Sequence, residues 1–144
     1  MHRTCIAIVD ASRARLFTFD RTQGASGVHE QLVEQRDLDD LQPGLDDHRD
    51  ASPGALDAAF ARTVVTEIAA LLRSSGARRL ILCASPRMLG ELRAAGNGLR
   101  REGLVIDELP RDLVKLTVPR IRERLGSYSL LPPLPRRTHL GPSA

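Results

Sequence analysis

Two short clusters bring hydroxyl and guanidinium groups together and could hold an anion: Ser12-Arg13-Ala14-Arg15 and Ser85-Pro86-Arg87. The second follows an apolar run, Leu80-Ile-Leu-Cys-Ala84. Open α/β sheets receive ligands at the carboxyl ends of their parallel strands. A helix beginning at Pro86 would add free N–H groups and Arg87 a positive charge, although Ser85 also serves simply as the cap of that helix. Asp10 and Glu67 are the acids best placed for a metal. Two-metal phosphodiester chemistry needs clustered carboxylates around cations about 4 Å apart, and the position that would complete the set is occupied by Ala84-Ser85-Pro86. Asp10 is expected instead to bond turn amides, and no metal or cofactor is expected. Serine catalysis lacks support. There is no G-x-S-x-G elbow, and His2, His29, His48 and His139 fall in terminal or loop-like stretches. Cys5 and Cys83 belong to two central strands, where they are expected to be neighbours and to act as small hydrophobes.

Charge supplies the other candidates. All but one of the 21 basic residues are arginine, the side chain suited to bidentate phosphate or carboxylate contacts. Residues 29–50 hold eight acids against Arg36 and Arg49, a net −6, so the overall +3 leaves +9 on the rest of the chain. Arg100, Arg101, Arg120, Arg122 and Arg124, with Arg136 and Arg137, make the candidate nucleic-acid surface. The aromatic residues are Phe17, Phe19, Phe60 and Tyr128, and the three phenylalanines suit a core better than a stacking platform. Any RNA contact would therefore run through phosphates and weaken with salt.

The elements that position these residues can be read from periodicity. Thr4–Val9 is a continuous β-branched run, the pattern of a strand buried on both faces. Arg15–Phe19 alternates and should form an antiparallel hairpin with it. Val28–Gln35 reads as an edge strand, and Arg36–Ser52, polar and acidic, as a long mobile loop. Ser52-Pro53 opens a helix with Leu56, Phe60, Val64, Ile68 and Leu71/Leu72 on its buried stripe, ending at Gly76. Leu80–Ala84 is a second buried strand, parallel to the first if the crossover is right-handed. A helix from Pro86, a strand over Leu104–Asp107 and a helix over Val118–Leu125 complete the order. Residues 1–126 form a single domain on this reading. Residues 127–144, with prolines clustered between Pro132 and Pro142, form an extended or disordered tail. Its Pro132-Pro-Leu-Pro-Arg-Arg137 stretch matches a PxxPx-basic ligand pattern, but reads better as solvated tail. The fold class is α/β: a mixed five-stranded sheet of three antiparallel and two parallel strands with about three helices, in the ribonuclease H-like order. No apolar run approaches the length needed to span a bilayer or to serve as a secretory h-region. A cytoplasmic protein with free thiols and no membrane association is expected.

Three segments in order carry a family resemblance: Val9-Asp-Ala-Ser-Arg-Ala-Arg-Leu-Phe17, Leu82-Cys-Ala-Ser-Pro-Arg-Met-Leu-Gly-Glu-Leu-Arg93, and Arg111-Asp-Leu-Val-Lys-Leu-Thr-Val-Pro-Arg-Ile-Arg-Glu-Arg-Leu125. Over residues 3 to 125 the chain resembles the bacterial host-attachment protein family. The resemblance implies a role in attachment to host cells. It also implies kinship with the middle domain of archaeo-eukaryotic class-one release factors, a ribosome-binding domain. The Gly-Gly-Gln loop of that domain has no counterpart in Arg36–Gly54, where Pro43-Gly44 and Pro53-Gly54 are the nearest approach. Hydrolysis of peptidyl-tRNA by that route is not expected. The expectation is a non-enzymatic binding protein whose partner is the ribosome or a structured RNA. The alternatives are a protein-interaction factor for attachment and a metal-dependent nuclease.

Overall fold

The computed structural model describes residues 3–39, 53–99 and 103–134. Strands β1 (Arg3–Val9) and β2 (Arg13–Gly24) form the expected antiparallel hairpin, with Val9 opposite Ala14 and Arg3 opposite Asp20. β3 (Gly27–Asp39) returns along β2. Helix α1 (Pro53–Ser75) leads to β4 (Arg79–Cys83), which lies parallel to β1. Helix α2 (Pro86–Ala95) and a short 3₁₀ turn (Asn97–Leu99) lead to β5 (Val105–Leu109), parallel to β4, and α3 (Val118–Ser127) closes the described fold. The sheet order is β3-β2-β1-β4-β5. A meander followed by two parallel additions is the ribonuclease H-like arrangement.

The central strands are apolar on both sides because helices cover both faces. Cys5, Ala7, Val9, Leu16, Leu80 and Leu82 pack against Phe60, Val64, Ile68 and Leu72 of α1 and Met88, Leu89 and Leu92 of α2. Ile6, Ile8, Phe17, Phe19, Ile81 and Cys83 pack against Ile121 and Leu125 of α3 and against Leu113, Val114 and Leu131. Cys5 and Cys83 thus lie on opposite faces, three residues apart in register, and are not neighbours. The expectation of adjacency failed because successive side chains of a strand alternate between faces. Both are free thiols.

β2 and β3 are longer than their hydropathy suggests. Arg15–Phe19 is extended to Arg13–Gly24, and Val28–Gln35 to Gly27–Asp39. Residues 36–39, expected in the mobile loop, are therefore strand; residues 40–52, including the candidate cap Ser52, lie outside the described residues. Polar side chains carry these extensions through cross-strand pairing, an interaction hydropathy does not register. A register shift places Leu16 opposite Arg36 and Phe17 opposite Glu34, leaving Gln35 as the extra residue. Such a bulge reverses which face the following residues take. Glu34 accordingly faces α3, whereas Arg36 reaches Glu67 on α1 at 3.1 Å.

Past α3 the chain does not simply leave the body. Arg79 Nη1 donates to the Leu130 carbonyl at 2.5 Å, Arg122 Nη2 donates to the Pro132 carbonyl at 2.6 Å, and Leu131 is buried in the α3-side core. Residues 127–134 therefore depart from the expected extended tail. Burial of a leucine and two charge-assisted bonds outweigh the prolines' preference for a solvated extended chain. Residues 135–144, with Arg136 and Arg137, lie outside the described residues.

Candidate functional site

The β1–β2 turn is built by Asp10. Its Oδ1 accepts from the backbone N–H of Ser12 at 2.8 Å and of Arg13 at 2.7 Å, and from Ser12 Oγ at 3.3 Å. This is the Asx turn expected of that aspartate, and it engages Oδ1 of the carboxylate. Glu67 is held by Arg36 on a different part of the sheet. Among the described residues no three of His, Cys, Asp and Glu converge as metal ligands.

The two anion clusters are not brought together as receptors. Arg13 donates to both carboxylate oxygens of Asp37, at 2.9 and 2.7 Å. That contact holds the Asp37 carboxyl below its ordinary value and the Arg13 guanidinium above its own. Arg15 is buried. It donates to both oxygens of Glu34 at 2.9 and 2.8 Å and to the carbonyls of Val114 and Leu116 at 3.0 and 2.6 Å, with its guanidinium over the Phe17 ring. Such a group is committed to tying β2 and β3 to the segment before α3. Ser85 accepts from the Met88 N–H at 3.3 Å and caps α2, and Arg87 lies 3.2 Å from Asp57 of α1.

Helix α3 sorts its arginines by face. Ile121, Arg122 and Leu125 point inward, and Arg120 and Arg124, one turn apart, point to solvent. Arg122 is 7% exposed. It donates to both oxygens of Glu30 on β3 at 2.9 and 2.6 Å, and its guanidinium lies 5.4 Å from the Phe19 ring centroid. Arg122 is therefore corrected from RNA contact to structural cation, because the helical period of the neighbouring apolar residues turns it toward the sheet. Arg120 and Arg124 are exposed and have no ion-pair partner among the described residues. Sequence reasoning missed Arg111 and Lys115, exposed on the segment entering α3 and likewise without an ion-pair partner among the described residues. Their only advance signal was their closeness to α3 in the chain. Arg100 and Arg101 lie outside the described residues.

The arrangement is thus a sheet braced by internal Arg–Glu pairs, with unpaired cations on and before α3. Residues 5–125 match the family model described as "Protein required for attachment to host cells", and the chain belongs to that family. A search of curated proteins returned no match. Among solved structures, the chain is similar to the type II variant of the Aquifex aeolicus Ppx/GppA phosphatase, with 12% identity and a TM-score of 0.48 over 76% of this chain and 36% of that one. It is also similar to an archaeal translation termination factor (11% identity, TM-score 0.45, 98% of this chain and 41% of that one). A third is Thermus thermophilus RuvC (12% identity, TM-score 0.35, 72% of this chain and 61% of that one). The chain thus spans less than two thirds of each of these proteins. No helix among the described residues is long and apolar enough to cross a membrane.

Proposed function

We propose that this member of the attachment family is a non-enzymatic binding protein that meets structured RNA, as presented by a ribosome in the cytoplasm, through the outer face of α3 and the segment before it. The observation that carries the proposal is the separation of roles on one helix. Arg122 is spent on Glu30, while Arg120 and Arg124, with Arg111 and Lys115, are left exposed and unpaired among the described residues. Exposed cations without partners neutralise phosphates and release counterions, so affinity falls steeply as salt rises. The one exposed aromatic beside them among the described residues, Tyr128 at the C-cap of α3, is a single ring rather than a stacking platform, which favours contact with phosphates over stacking on bases.

Co-sedimentation with ribosomes at about 50 mM salt tests this. The wild-type chain should pellet with ribosomes, and Arg120→Glu/Arg124→Glu should remain in the supernatant with unchanged thermal unfolding. Wild-type protein left wholly in the supernatant at that salt overturns the proposal. The family description favours a second reading, a protein partner used during attachment. Cross-linking in cells, followed by identification of the chain's partners, separates the two: ribosomal RNA supports the first, and a surface or secretion protein alone supports the second.

A further inference from the structure

A cleft of about 470 Å³ opens on the α3 side of the sheet, at the starting ends of β1, β4 and β5. Four arginines line it, Arg3, Arg21, Arg78 and Arg79, and no acid among the described residues does. Two of them are fixed from behind: Arg3 Nε donates to Asp20 at 2.7 Å and Arg79 Nε to Asp107 at 2.8 Å. The other two are less firmly held. Arg21 lies 3.8 Å from Glu30, a carboxylate already taken by Arg122 through both oxygens. Arg78 is exposed and has no ion-pair partner among the described residues. Val105, 57% exposed, supplies the open apolar wall, with the edges of the buried Phe19 and Leu131 behind it.

The cleft is held in shape independently of any occupant. Arg122 lies over the Phe19 ring and binds the Pro132 carbonyl, and Arg79 binds the carbonyl of Leu130. One wall is thus tied to the sheet by two charge-assisted bonds. The volume lies in the range of small-molecule sites, which pair an apolar lining with a few placed charged groups. Residues 135–144 do not complement it, since they carry Arg136 and Arg137 and no acidic side chain.

We propose that this cleft binds a nucleotide, with the phosphate on Arg21 and Arg78 and the base against Val105. Guanidinium groups suit a phosphate's oxygens, and the flat face of a base suits an exposed apolar wall such as Val105. The site lies at the end of the parallel strands opposite to Ser85, and it stands independently of RNA contact by the outer face of α3. The nucleotide could be free or the terminus of a strand, and the two sources share this chemistry.

Calorimetric titration of the full chain at low salt with adenosine monophosphate, adenosine, inorganic phosphate and a short 5′-phosphorylated oligoadenylate tests the assignment. Adenosine monophosphate should bind at least about tenfold tighter than either adenosine or phosphate alone, since both halves of the cleft contribute. Arg21→Ala/Arg78→Ala should weaken it about tenfold or more, and Val105→Asp, at an exposed position, should do the same without changing thermal unfolding. Tighter binding of the oligonucleotide, lost in the same variants, identifies a strand terminus as the source; equal or weaker binding identifies the free nucleotide. Arg120→Glu/Arg124→Glu should leave the nucleotide titration unchanged even where it abolishes ribosome association. Nucleotide binding no tighter than phosphate, or unaltered in both cleft variants, overturns the proposal.

Discussion

Replacing Arg122 by Met tests most directly whether α3 is clamped to the meander by charge. Arg122 and Glu30 form a bidentate pair in which the two side chains are 8% and 17% exposed. The same guanidinium also binds the Pro132 carbonyl and covers Phe19. Removing one partner of a buried pair typically costs about 3–5 kcal/mol, because the remaining charge is left uncompensated. Glu30 keeps some solvent access and retains Arg21 at 3.8 Å, which places the expected loss at the low end of that range, about 3 kcal/mol. Methionine retains the aliphatic stem and its packing, so most of this loss is electrostatic. With a urea m-value of about 1.5 kcal/mol/M, the unfolding midpoint should fall by roughly 2 M. Glu30→Gln in the same background removes the stranded charge, and the double variant should recover a large part of the loss, giving a coupling energy well above the few tenths expected of independent sites. The pair is largely shielded, so the loss should change little between low and high salt. A cost under about 1 kcal/mol, or strict additivity in the cycle, would refute the reasoning and return Arg122 to the surface.

Leu131→Ala should cost roughly 2–3 kcal/mol in denaturant unfolding, a value appropriate to a core leucine and far above that of a solvated tail residue. Gly76 ends α1 at φ +70° with open space around its Cβ position, so Gly76→Ala should lose about 1 kcal/mol through backbone strain alone, and Gly76→Asn less. Burial pushes the Cys5 thiol up and that of Cys83 up to about 12. Raised folded-state values mean that stability is intact below the unfolded thiol's ordinary value of about 8.5 and declines as pH rises toward the folded value. Cys83 should therefore contribute a loss of roughly 1–2 kcal/mol between pH 8 and pH 10, and a smaller slope in Cys83→Ala checks its origin. Both thiols should resist a disulfide reagent at pH 8 until the chain is unfolded; rapid labelling of the native protein would contradict their burial.

The sequence by itself determined what depends on near neighbours in the chain. Continuous β-branched runs at Thr4–Val9 and Leu80–Ala84 defined the two central strands, whose parallel pairing then followed from the helix between them. Ser85-Pro86 marked the start of α2, Asp10 its turn, and Gly76 the end of α1, because caps and turns satisfy backbone groups within a few residues. Three ordered motifs sufficed to place the chain in its family. Tertiary structure alone decided which arginines are free. Arg15 and Arg122 look like their neighbours in the sequence, yet Glu34 lies 19 residues from the one and Glu30 lies 92 from the other. The bulge at Gln35 and the docking of α3 turn those carboxylates toward them. Arg21 and Arg78 line one cleft for the same reason, since β2 and β4 enter one sheet. A charged side chain's role is set by what lies within a few ångströms of it, and strand order and register, rather than proximity in the chain, fix that distance.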